Sequence, residues 1–294
     1  MALLIITTIL WAFSFSLIGE YLAGSVDSYF SVLMRVGLAA LVFLPFLRTR
    51  GQSPRTIVLY MLVGAMQLGI MYLLAFRAYL YLTVSEFLLF TVFTPLYITL
   101  IYDLLSGRKL RWGYLLSAAL AIIRYDKVSD HFWTGLLLVQ LSNLCFAIGM
   151  VGYKRLMEVR PMPQHNAFAW FYVGAFIVAV AAWLMLGNAQ KLPTTTLQWS
   201  VLVWLGVVAS GLGYFMWNYG ATQVDAGTLG IMNNVHVPAG LLVNLAIWQE
   251  QPHWPSFISG ALVILASLWV HRRWVAPHSG QTADDRRRGS AQSE

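Results

Sequence analysis

One arginine stands inside an otherwise apolar run: Arg35, between "SVLM" and "VGLAALVF". A guanidinium in a membrane-length apolar segment is costly unless it is used, and its planar fork suits a carboxylate held by two parallel hydrogen bonds. The competing reading is an arginine whose stem lies in the apolar layer while its head reaches a nearby interface. A second concentration is "NNVHVPAG", which sets Asn233, Asn234 and His236 within about one helical turn and follows them with Pro238. Amides offer donors and acceptors to an amide or ureido group, imidazole binds solute or carries a proton, and the proline removes a backbone hydrogen bond and loosens the helix. The plainer alternative is that the asparagines join neighbouring helices and the histidine packs against one.

Other polar positions fall in the same class. Asn143 and Gln140 on one apolar run, and Ser14 and Trp11 on another, either frame a central cavity or hydrogen-bond between helices. Glu86 is, with His236, a candidate for coupling to an ion, but the preferred reading is an interfacial carboxylate that pairs with Arg77; Asp225 and Glu250 edge the run that holds His236. Trp11, Tyr72, Tyr214 and Trp217 lie deep in their runs, to stack on a flat solute or to pack.

Several chemistries are excluded. Cys145 is the only cysteine, so no intrachain disulfide and no cysteine metal site is available. There is no Gly-rich nucleotide loop, no His-Glu-x-x-His and no dense Ser/His/Asp set, so neither a metal nor a cofactor nor enzyme chemistry is expected. The net charge of +7 is spread over short loops, which points to membrane topology and not to nucleic acid.

The elements that must position these residues are membrane spans. The chain is 59% hydrophobic and 11% charged, with a mean hydropathy of +0.66, outside what a soluble domain keeps in water. The apolar runs predict about ten spans, near Ala2–Ile18, Tyr29–Leu47, Ile57–Phe76, Val84–Tyr102, Trp112–Ile123, Gly135–Tyr153, Ala167–Leu186, Trp199–Tyr219, Gly227–Trp248 and Phe257–Trp269. The first has no basic segment before it and carries Trp11, Ser14 and Ser16, as a retained helix would. With the N-terminus inside, the cytoplasmic segments hold Arg48, Arg50, Arg55, Arg108, Lys109, Arg111, Lys154, Arg155, Arg160, Arg272, Arg273, Arg286, Arg287 and Arg288; the other side holds Arg77, Arg124, Lys127 and Lys191. The positive-inside rule therefore places both termini in the cytoplasm. Residues 275–294 read as a disordered cytoplasmic tail.

An internal repeat is visible. "AYLYLTVSEFLLFTVFTPL" from Ala78 aligns with "ATQVDAGTLGIMNNVHVPA" from Ala221, placing Pro95 on Pro238 at an offset of 143, and both prolines are candidate bending points. "RVGLA" at Arg35 faces "YVGAF" at Tyr172, and "SAAL" at Ser117 answers "SGAL" at Ser259. Five spans per half is an odd number, so the second copy (residues 132–274) enters the membrane inverted relative to the first (1–126). The fold class is all-α. The fifth span is about five residues shorter than the tenth; its twelve residues reach about 18 Å, which predicts a marginal helix.

"LWAFSF", "RVGLA", "FRAYLYLTVSE" before "FTPLY", and "GYFMWNYGATQVDAGTLG" before "HVP" resemble the two EamA repeats of the drug/metabolite transporter superfamily. Within it the chain is similar to the carboxylate/amino acid/amine branch and its enterobacterial biotin carriers. The resemblance implies a secondary carrier of the bacterial inner membrane, working by alternating access on a small-molecule substrate, biotin or a related carboxylate. Arg35 would then face the carboxylate, and Asn233 or Asn234 the ureido ring. The fifth span departs from the longer Gly-containing run usual in the family. An exporter of amino acids or related metabolites fits the same fold, and an intramembrane enzyme or assembly factor is the alternative of another class. Oligomeric state is not legible here.

Overall fold

Lipid-facing and protein-facing residues alternate along every described helix of the computed structural model, which describes residues 2–105, 132–224 and 226–248. Among these residues there is helix and no strand. The first half supplies α1 (Ala2–Tyr21), α2 (Ser28–Phe43), α3 (Pro54–Ala78) and α4 (Val84–Tyr102). The second supplies α5 (Phe132–Val159), α6 (Gln164–Leu186), α7 (Thr196–Ala221) and α8 (Ala226–Val243). Seven of the eight are long and apolar enough to cross a membrane, and large apolar side chains such as Leu41, Leu62, Leu137 and Leu184 point outward from them. The expected spans Trp112–Ile123 and Phe257–Trp269, the tail, Asp225 and Glu250 lie outside the described residues.

The helix starts follow from local chemistry. Asp27 caps α2 by accepting from the Phe30 amide at 2.8 Å, and Ser53 caps α3 ahead of Pro54. Thr83 and Glu86 form a capping box at α4, as Thr195 and Gln198 do at α7. Gly51, with φ of 80°, makes the tight turn before α3 that a residue with a Cβ would strain.

The pairing of helices has two-fold character. α1 packs on α8 as α4 packs on α5; α2 packs on α7 as α3 packs on α6; α2 and α6 meet directly. Inversion follows from two bonds: Thr7 Oγ1 donates to the Gly213 carbonyl at 3.3 Å and Trp11 Nε1 to the Ala209 carbonyl at 3.0 Å, so α1 and α7 run antiparallel. Since α1 and α3 are parallel, α3 and its counterpart α7 are opposed. The α3/α6 crossing is backbone to backbone, because a Cβ on Gly64 would meet the Phe171 carbonyl and one on Gly174 the Met61 carbonyl.

Both third helices carry a widened stretch that hydropathy does not foretell: π-helix at Ala65–Ile70 in α3 and at Trp204–Leu212 in α7. A π turn takes carbonyls out of the regular ladder, and in lipid each needs a partner. Donors from the first helix of the opposite half reach these regions: Trp11 reaches Ala209, and Ser142 Oγ reaches the Met71 carbonyl at 3.1 Å.

Candidate functional site

Arg35 is 4% exposed and lies within the protein, so it does not reach for an interface. Its Nε donates to Ser210 Oγ at 2.6 Å, and its guanidinium carbon sits 4.2 Å from the centre of the Tyr72 ring. Tyr72 OH and Ser210 Oγ are 2.8 Å apart, while Tyr172 OH donates to the Ser210 carbonyl at 2.6 Å. Ser210 belongs to the π stretch of α7, so α2, α3, α6 and α7 together hold one guanidinium. Nε is occupied. The terminal nitrogens have no hydrogen bond or ion pair among the described residues, which leaves the fork's bidentate edge free for an anion.

A second polar cluster joins α1, α4 and α8. α4 breaks into a 3-10 turn at Thr91–Phe93 just before Pro95, whereas α8 continues as helix through Pro238. The Phe90 carbonyl at the break accepts from Asn143 Nδ2 at 2.9 Å and Gln140 Nε2 at 3.1 Å. Thr91 Oγ1 lies 3.1 Å from His236 Nε2, and Phe15 stacks on the imidazole with ring centres 5.2 Å apart. Asn233 Nδ2 and His236 Nδ1 are buried and have no hydrogen-bond partner among the described residues.

The two clusters line one cavity that is open on one side, with about 640 Å³ of non-atom space when the open solvent at its mouth is included. Arg35, Asn233, His236, Asn143, Trp11, Ser14, Tyr72 and Tyr214 all line it, with Phe15, Phe76, Phe87, Thr91, Ser142 and Phe146 among the rest. Eight of the nineteen lining residues are Phe, Tyr or Trp. Arg35 is the only charged residue among the lining residues, so the chamber favours an anion with a sizeable apolar or flat body.

Other expected positions sit elsewhere. Trp217 is behind the wall: its indole donates to Met150 Sδ at 3.2 Å and lies 5.0 Å from Trp11, which it backs. Glu86 does not line the cavity; its carboxylate accepts from the Thr83 amide at 2.8 Å in the capping box. Asn234 is on the α8 helix, but its side chain is outside the described set. No three His, Cys, Asp or Glu side chains come together among the described residues. Sequence reasoning missed Ser210, Thr91, Phe15 and Tyr172. Only Tyr172 left a trace, as the repeat counterpart of Arg35.

The chain matches the EamA-like transporter family over residues 1–123 and 133–272. It is 82% identical over 299 aligned positions to the biotin transporter of Escherichia coli strain K12, covering 100% of each chain. The biotin transporter of Salmonella typhimurium strain LT2 matches with the same identity and coverage. A probable biotin transporter of Pseudomonas aeruginosa is 54% identical over 92% of this chain and 97% of its own. A solved crystal structure only 16% identical superposes with a TM-score of 0.66, covering 90% of this chain and 94% of its own, which shows a shared fold.

Proposed function

The chain belongs to the EamA-like transporter family, and on that footing we propose that it is a secondary carrier that takes biotin into the cell across the inner membrane. It acts as a carrier and not as an enzyme. The observation that carries the reading is Arg35: a buried guanidinium, alone in charge on the cavity wall, with its bidentate edge free. Biotin presents a carboxylate to that edge, a ureido ring to the Asn233–His236 turn of α8, and apolar ring and chain atoms to Trp11, Tyr72, Tyr214 and Phe146.

The two repeats, 1–126 and 132–274, then rock about this cavity, with Pro95 and Pro238 as bending points and residues 275–294 as a cytoplasmic tail. Both termini lie in the cytoplasm by loop charge. In that orientation Ile18, Phe76, Tyr79 and Phe87 put the cavity toward the outer face. The inner side is closed by the reciprocal Gln67–Asn218 amide pair, at 3.0 and 3.1 Å, and by Lys154 Nζ on the Ala221 and Val224 carbonyls, at 3.2 and 2.9 Å. Those contacts part when the cavity opens inward. Of the two coupling candidates, only His236 lines the cavity.

The test is uptake of labelled biotin at nanomolar concentration into cells lacking their own biotin synthesis and uptake. Saturable uptake that needs this chain and is blocked by excess unlabelled biotin supports the reading. Absence of uptake from a correctly inserted protein refutes it.

A further inference from the structure

Proton counting at the second cluster goes further than residue types. Thr91 Oγ1 is 2.6 Å from the Leu88 carbonyl, which can only accept, so the single hydroxyl hydrogen lies on that bond. The same oxygen is 3.1 Å from His236 Nε2 and has no second proton to give, so it accepts and Nε2 carries the hydrogen. No carboxylate is among the described cavity-lining residues, and Arg35 shares the chamber, so the ring has no counter-ion among them. The neutral ring then presents Nδ1 as a bare acceptor. That atom has no hydrogen-bond partner among the described residues, the residue is 4% exposed, and Phe15 stacked on the ring resists its rotation. Three residues earlier on α8, Asn233 Nδ2 is a donor, also without a partner, on a residue 2% exposed. Positions i and i+3 share one helix face.

We propose that Asn233 Nδ2 and His236 Nδ1 form a donor–acceptor pair that reads the C=O/N–H edge of a cyclic urea, with Thr91 as the positioning residue that sets the imidazole tautomer. The ligand carbonyl accepts from Asn233 and the adjacent ligand N–H donates to His236. A urea or cis-amide with both groups on one edge fits this pair; a urea substituted on both nitrogens lacks the donor. The assignment rests on the biotin-carrier reading above.

Thr91→Val keeps the shape and removes the hydroxyl, and Thr91→Ser restores it. At matched membrane levels, the KM of biotin uptake should rise about tenfold in Thr91→Val with Vmax within about twofold, and Thr91→Ser should recover most of the loss. Biotin should outcompete its ureido N,N′-dimethyl analogue by about tenfold in wild type, and that preference should narrow in Thr91→Val. His236→Asn, whose amide oxygen stands in for Nδ1, should keep a lower KM than His236→Gln, and this ordering tests the assignment even if the Thr91 variants insert poorly. Unchanged KM and preference in Thr91→Val, or His236→Gln equal to or better than His236→Asn, overturns the tautomer assignment alone. Absence of saturable uptake by wild type overturns both readings.

Discussion

The two halves share a backbone plan and differ in what they bring to the cavity. Arg35 on α2 and Tyr172 on α6 are repeat counterparts, and both end on Ser210: the cation on its hydroxyl, the phenol on its carbonyl. Pro95 on α4 follows a 3-10 break that exposes the Phe90 carbonyl to Asn143 and Gln140; Pro238 on α8 is carried inside a helix that presents Asn233 and His236. A duplicated scaffold has thus been filled asymmetrically at its axis, with charge from the first half and the lining amides and imidazole from the second. An inverted repeat supplies two similar frames for rocking. On the proposed reading the solute, which has no such symmetry, is read by the residues in which the frames differ.

That contrast can be broken at several points. Arg35→Ala removes the only charge among the described lining residues and should lower biotin uptake efficiency by about a hundredfold or more, with Arg35→Lys intermediate because an ammonium lacks the fork. Rates of labelled biotin uptake, normalised to protein in the membrane, decide this. The prolines come next: Pro238→Ala restores the bond missing in α8 and should cut Vmax roughly tenfold with KM nearly unchanged, while Pro95→Ala, next to a helix already broken, should do less. Equal effects would show that the two prolines act alike. Asn218→Ala strands the buried Gln67 amide and should lower stability by about 1–3 kcal/mol, seen as a lower midpoint in a thermal assay of detergent-solubilised protein. The smallest change is in the shared scaffold. Trp11→Phe and Ser142→Ala each remove one donor to a third-helix carbonyl, and each should cost about 1 kcal/mol in the same assay.

The spans were legible because hydropathy is summed over some twenty residues; the span read as Val84–Tyr102 is found with its helix running on to Leu105, and α1 overruns its predicted end by only three residues. Arg35 was legible because one charge in an apolar run has no cheap explanation. Its partner Ser210 was not, since a serine in "ASGLG" is ordinary in a membrane helix and gains meaning only from an arginine 175 residues away. Thr91 was hidden likewise, its role set by a break in α4 and a histidine on α8. Trp217 and Trp11 look equivalent in sequence, yet one lines the cavity and the other backs it, because neighbouring turns of crossing helices decide which ring faces inward.

The most direct measurement is competition of labelled biotin uptake by biotin and by its neutral primary amide, in wild type and in Arg35→Gln. If Arg35 reads the carboxylate, biotin outcompetes the amide by at least about tenfold in wild type, and Arg35→Gln brings the two competitors close together. Equal competition in wild type, or a preference that survives Arg35→Gln, would contradict the account.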